Sequence, residues 1–128
     1  MKLLVDTCTL IWLATAEQPV PQDVRSAISD SSTEVYVSAA SAWEIAIKYA
    51  KRALLLRHPP AEFMSKVRTR YGLSTLPIDE DSALHVAKLP PLHADPFDRM
   101  LVSQAIVHGL TIVTPDPLVT QYPALTMW

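Results

Sequence analysis

Lys2-Leu3-Leu4-Val5-Asp6 reads as a buried strand that ends on a carboxylate, and its reading decides the fold. Leu3, Leu4 and Val5 are apolar in succession, so both faces of the strand are covered, as parallel strands in α/β sheets are. The pattern returns in Thr111-Ile112-Val113-Thr114, with Asp116 two residues beyond. Between these runs, strand-like and helical stretches alternate. Alternation of that kind implies an α/β chain with a mostly parallel sheet covered on both faces. In such a sheet the strand-to-helix junctions lie along the carboxyl edge, where ligands bind.

Outward from the first strand, a short helix carries Leu10, Ile11, Leu13 and Ala14 and stops before Pro19 and Pro21. Residues 22–30 form a helix with Val24, Ala27 and Ile28 inward, and residues 35–38 a strand. Residues 40–55 are expected as one helix, with Trp43, Ile47 and Leu54 at helical spacing and Lys48, Lys51 and Arg52 outward. Pro59-Pro60 breaks it and starts a helix over 61–71, which Gly72 ends. Residues 74–78 read as a short strand, and 80–89 as a helix with Ala83, Leu84 and Ala87 inward. The clearest helix covers 97–108, because Pro96 sits at its first turn and Gly109 just past its end. A strand over 111–114, a turn over 115–121 and an edge strand over 124–127 complete the order.

The chain of 128 residues is expected to be a single domain, long enough to bury a core. Its 49% hydrophobic and 19% charged residues exclude the disordered class. A formal charge of −2 gives the chain as a whole no cationic excess for nucleic acid. Yet Lys48, Lys51, Arg52, Arg57, Lys66, Arg68 and Arg70 are seven of its eleven basic residues, interrupted only by Glu62. That segment is either a solvated helical face or a contact surface for an anionic polymer. Cys8 is the only cysteine, which rules out an intramolecular disulfide and suits a reducing cytoplasm. Lys2, an apolar stretch and Ala14-Thr15-Ala16 superficially mimic a signal peptide, but Asp6 and Thr7 interrupt it, and the segment is expected to remain strand and helix. No run has the length needed to span a membrane. With two glycines, neither a Walker loop nor a dinucleotide fingerprint is possible.

Four acids carry the functional reading: Asp6, Glu44, Asp98 and Asp116. Each has a structural explanation of its own. Asp6 fits a helix cap, and Ser41-Ala42-Trp43-Glu44 fits a capping box. Asp95-Pro96-Phe97-Asp98 fits an N-cap, a first-turn proline and an acid favoured by the helix dipole, and Asp116-Pro117 fits a turn. Together, however, all four fall at strand-to-helix junctions or in the first helical turn beyond them. Asp98 shares a helix side with Leu101, Val102 and Ala105, so it should face the sheet and leave Asp95 as the cap. Gathered on one edge, like charges about 5 Å apart cost roughly 3 kcal/mol per pair at an effective dielectric near 20. A divalent cation is the simplest relief, and all-oxygen ligands favour Mg²⁺ or Mn²⁺ over zinc. His58, His85, His93 and His108 never pair with one another or with Cys8 at zinc-ligand spacing, and are expected as surface or packing residues.

The motifs Leu4-Val5-Asp6-Thr7, Val37-Ser38-Ala39-Ala40-Ser41-Ala42-Trp43-Glu44-Ile45, His93-Ala94-Asp95-Pro96-Phe97-Asp98-Arg99-Met100-Leu101 and Val113-Thr114-Pro115-Asp116 resemble those of PIN-domain ribonucleases, in particular the VapC-like toxins of bacterial toxin–antitoxin pairs. The resemblance implies a three-layer α/β/α sandwich around a five-stranded parallel sheet and metal-dependent cleavage of RNA. It also implies a homodimer inhibited by a cognate antitoxin protein. The four family acids correspond to Asp6, Glu44, Asp98 and Asp116, with Asp6 and Asp98 expected as the metal ligands. Two rival readings remain. A phosphoaspartyl enzyme lacks support, because the last lysine is Lys88 and Cys8 stands where a second Asp would follow Asp6. A PIN-like module that binds RNA or protein without cutting is the other, and loss of an acid would mark it.

Overall fold

The computed structural model describes Met1–Trp128. Its elements in chain order are β1 (Lys2–Val5), α1 (Thr7–Thr15), α2 (Gln22–Ser29), β2 (Glu34–Ser38), α3 (Ala39–Ala50), α4 (Pro60–Tyr71), β3 (Ser74–Leu76), α5 (Glu80–His85), a 3₁₀ turn (Val86–Lys88), α6 (Pro96–His108), β4 (Thr111–Val113) and β5 (Thr126–Met127). The five strands form one sheet in the order β3-β2-β1-β4-β5. Every neighbouring pair is parallel, with Val5 opposite both Val37 and Val113. The strand ends therefore align, and the residues that follow β1, β2 and β4 emerge side by side.

Strand alternation divides the core. Leu3, Val5, Val35, Val37 and Val113 pack on one face with Leu10, Leu13, Val24, Ile28, Phe63 and Val67. Leu4 and Ile112 point to the other, against Leu101, Val102 and Ala105 of α6. This makes the three-layer α/β/α arrangement, with both faces of the central strand fully buried.

Two helices depart from expectation. The helix expected over 40–55 ends at Ala50, and the chain turns at Arg52, whose φ of 58° is left-handed. Its inward face carries Ala40, Ser41, Glu44 and Ile45, while Trp43 is 59% exposed. Ser38, not Ser41, caps it, accepting from Ala40 N at 2.9 Å and donating to Gln104 Oε1 at 2.6 Å. The helix expected over 80–89 is one and a half turns followed by a 3₁₀ turn. Ala83, Leu84 and Ala87 face solvent, and Ser82 is the buried residue. The reason is a polar seam: Asp79 accepts from Ser82 N and Oγ, and Ser103 Oγ donates to Ser82 O. β3 stops at Leu76 instead of reaching residue 78, because Pro77 has no N–H to continue the ladder.

Candidate active site

Asp6 follows β1 directly and caps α1, accepting from Thr9 N at 2.9 Å. Only 3% of it is exposed. Burial pushes its carboxyl up from the ordinary value, opposed by hydrogen bonds from Thr114, Thr9 and Cys8. The Cys8 thiol donates to both Asp6 oxygens at 3.4 Å, and burial and the Asp6 charge push that thiol well up, so it stays protonated. Thr7 Oγ1 donates to Ser41 Oγ at 2.9 Å and so ties the first turn of α1 to α3.

Glu44 lies in the second turn of α3 and is buried. Its Oε2 accepts from Lys48 Nζ at 2.6 Å, one helical turn on. Its Oε1 is buried with no hydrogen-bond partner. Leaving a buried acceptor unmet costs about 1–3 kcal/mol, and more when it is charged. Such an atom is expected where an absent ligand belongs.

Asp98 sits in the first turn of α6, behind the cap Asp95, which accepts from Phe97 N at 2.9 Å. The carboxyl of Asp98 is pushed up to about 6 by burial first, then by the charges of Asp95, Glu44 and Asp6. His93 opposes the shift, with Nε2 at 3.0 Å from Asp98 Oδ2. Asp116 lies beyond β4, where Thr114 Oγ1 accepts from its N–H at 3.1 Å and its own Oδ1 accepts from Leu118 N at 2.9 Å. His93 Nε2 also lies 3.7 Å from Asp116 Oδ2.

The structure brings all four sequence-identified acids into one cleft of about 200 Å³, lined by Asp6, Thr7, Cys8, Ile11, Glu44, Lys48, Asp95, Asp98 and Asp116. Five carboxylates there face one ammonium. Ligand atoms of His93, Asp98 and Asp116 lie within 4.8 Å of one another, close enough to share one cation. The donor set is dominated by carboxylate oxygens and one of them is unmet, which fits a hard divalent ion.

Two site residues differ from the sequence expectation. His93, expected as a surface or packing residue, lies between Asp98 and Asp116 and is anchored by its N–H to Tyr122 Oη at 2.8 Å. Lys48, expected outward, pairs with the buried Glu44 and lines the cleft. Its i,i+4 spacing from Glu44 was a readable signal. The capping-box reading of Glu44 fails, since α3 begins three residues earlier and the side chain turns to Lys48. Part of the repulsion among the acids is thus relieved from within the chain.

The PIN domain family model matches residues 3–123. No curated protein matches the sequence. Among solved structures, the chain is similar to one from VapBC2 of Rickettsia felis, solved bound to a DNA fragment from their promoter. That match has a TM-score of 0.76 at 13% identity, covering 99% of this chain and 98% of that one. DNA-bound VapBC from Salmonella typhimurium matches with a TM-score of 0.68 at 20% identity, covering 100% and 97%. FitAcB from Neisseria gonorrhoeae matches with a TM-score of 0.65 at 22% identity, covering 98% and 96%. At such identities the likeness is one of fold.

Proposed function

The chain belongs to the PIN domain family, and from that premise we propose that it is a divalent-metal-dependent endoribonuclease acting as the toxin of a toxin–antitoxin pair. The observation that carries the reading is the single cleft holding Asp6, Glu44, Asp95, Asp98 and Asp116, with Glu44 Oε1 buried and unmet. Asp6 and Asp98 would hold a Mg²⁺ or Mn²⁺ ion, with Glu44 and Asp116 completing or orienting the ligand set. When bound, such an ion supplies Lewis acidity to a phosphate oxygen and lowers the pKa of water.

The remaining work falls to the chain's own groups. Lys48, half-exposed at the rim, offers its ammonium to the entering phosphate while holding Glu44 in place. His93 fixes the carboxylate of Asp98, and the Thr7–Ser41 bond fixes the distance between α1 and α3. Water as nucleophile needs no 2′-hydroxyl, so hydrolysis leaves a 5′ phosphate and a 3′ hydroxyl. The resemblance to VapC-like toxins supports a cognate antitoxin and a homodimer, and a lone cysteine, Cys8, suits a reducing cytoplasm. No helix is long and apolar enough to cross a membrane.

The test is incubation of the purified chain with structured RNA in Mg²⁺ or Mn²⁺, with the product ends sequenced and chemically typed. Cleavage that EDTA stops, with 5′ phosphate ends, is the expected result. Cyclic 2′,3′-phosphate ends, or cutting that persists in EDTA, would overturn it, and binding without cleavage would favour the non-catalytic module.

A further inference from the structure

Tyr122 is buried to all but 3% of its surface, and its hydroxyl is a junction for three segments of the chain. Its Oη accepts from His93 N at 2.8 Å and from Arg99 Nη1 at 3.0 Å. Arg99 also donates to Pro90 O at 2.9 Å and to Val86 O at 3.2 Å, which gathers residues 86–93 against α6. It pairs with no carboxylate, although Asp98 precedes it in the chain. A guanidinium next to an acidic cleft that directs its donors at carbonyls and a phenol serves geometry, not charge. Tyr122 also closes the turn that Asp116 opens: Asp116 O accepts from Val119 N and Thr120 N, and Val119 O accepts from Tyr122 N. One hydroxyl thus joins α6, the loop that carries His93 and the turn that carries Asp116.

We propose that Tyr122 and Arg99 are positioning residues for the carboxylates of Asp98 and Asp116, and that they act through His93. The inference rests on the metal-dependent nuclease reading above. His93 Nδ1 accepts from the Asp95 N–H at 3.4 Å, so the proton of the neutral ring lies on Nε2. That N–H donates to Asp98 Oδ2 at 3.0 Å, with Asp116 Oδ2 at 3.7 Å. The ring is therefore a donor between two carboxylates and not a nitrogen ligand, since a metal needs the lone pair that the proton occupies. With Oδ2 held, the plane of the Asp98 carboxylate is set and its other oxygen is left for an ion. A side chain on a loop can do this only if its backbone is held too. Tyr122 pins the N–H of His93, and Arg99 pins the two segments that lead to it. Outer partners of this kind change metal affinity by roughly 10- to 100-fold when they are removed.

The test compares the full chain with Tyr122→Phe, Arg99→Lys, His93→Ala and His93→Gln, and combines each of the first two with His93→Ala. Mn²⁺ affinity is read at fixed pH from the electron paramagnetic resonance of the free ion, and electron spin echoes of the bound ion report any coordinated nitrogen. Circular dichroism and thermal melts are run alongside. Expected is a roughly ten-fold or larger loss of Mn²⁺ affinity in Tyr122→Phe, Arg99→Lys and His93→Ala. The double variants should lose no more than His93→Ala alone, because all three residues act as one unit. His93→Gln, whose amide N–H can stand near the place of Nε2, should recover most of the loss, and no nitrogen should be bound directly. A hydroxyl that only supported the core would lower Tm and leave Mn²⁺ affinity as it was, or add its loss to that of His93→Ala. Either result would overturn the proposal, as would a directly bound nitrogen, which makes His93 a ligand. Arg99→Lys keeps the proposal open to refutation should Tyr122→Phe fail to fold. Absence of Mn²⁺ binding by the wild-type chain would instead sink the metal-dependent reading on which the proposal rests.

Discussion

Asp98 takes its raised pKa of about 6 from burial and from three neighbouring carboxylates, whereas in the unfolded chain it returns towards 3.8. Between those values the folded state binds more protons than the unfolded one. Its contribution to stability is therefore fully present below about pH 4 and is lost as pH rises through about 6. Asp6 acts in the same direction through burial. In metal-free protein, Asp98→Asn should flatten the fall in Tm from about pH 4 to about pH 7. At neutral pH it should stabilise the fold by on the order of 1–2 kcal/mol, discounted for the part of the group open to solvent. Calorimetric melts in EDTA across that range check both. A wild-type Tm that rises over this interval relative to the variant would show that the cluster is not strained by like charge. Activity should behave oppositely: Asp6→Asn or Asp98→Asn should lower RNA cleavage roughly a hundred-fold or more, since a ligand site worth several kcal/mol is lost, while circular dichroism stays unchanged. Asp6 and Asp116 were legible because each follows an apolar strand, and Asp98 because Pro96 marks the start of α6, whereas Glu44, in the second turn of α3, was legible only in company with the other three. His93 was not, because a loop residue is placed by the tertiary contact to Tyr122, which no local periodicity encodes.

At the scale of elements, the seam between α3, α6 and the end of β2 positions Glu44 against Asp98. Ser38 sits at its centre, fully buried, capping α3 and donating to Gln104 Oε1, while Gln104 Nε2 donates to Pro77 O. Ser38→Ala removes a cap and leaves a buried amide oxygen unmet, a loss of about 2 kcal/mol in urea unfolding. A loss below about 0.5 kcal/mol would mean that water replaces the hydroxyl and that the seam does not hold the helices in register. The strands were legible because buried parallel strands are continuously apolar. The α6 helix was legible because proline at its start and glycine after its end punctuate it, Gly109 taking the left-handed φ of 68°. The inward faces of α3 and α5 were misread for one reason. Beside Ile45, α3 turns Ser41 and Glu44 inward, and α5 turns Ser82 inward, each of these polar groups meeting a polar partner, so hydrophobic periodicity alone misplaces both faces.

The molecule as a whole carries its charge unevenly, with an acidic cleft at the sheet edge and a basic run from Lys48 through Arg70 over α3, α4 and the loop between them. Phosphate contacts from such a run release counterions, so binding should weaken steeply with salt. Reversing Lys51 and Arg52 to Glu should reduce RNA affinity and flatten the dependence of log K on log salt by roughly 2. Filter binding at several ionic strengths reads it, and an unchanged slope would discard the run as an RNA guide. The architecture was legible from the alternation of strands and helices, whereas the apolar cleft lined by Trp43, Phe97 and Met100 was not, since it exists only once α3, α5 and α6 converge.

The central claim is that carboxylates distant in sequence form one pocket that a hard divalent cation completes. Calorimetric titration of Mn²⁺ into the wild-type chain, Asp6→Asn and Asp98→Asn tests it most directly. The account predicts saturable binding by the wild-type chain, with a matching rise in Tm, and its loss in both variants. Binding undiminished in the variants, or none in the wild-type chain at millimolar Mn²⁺, would contradict it.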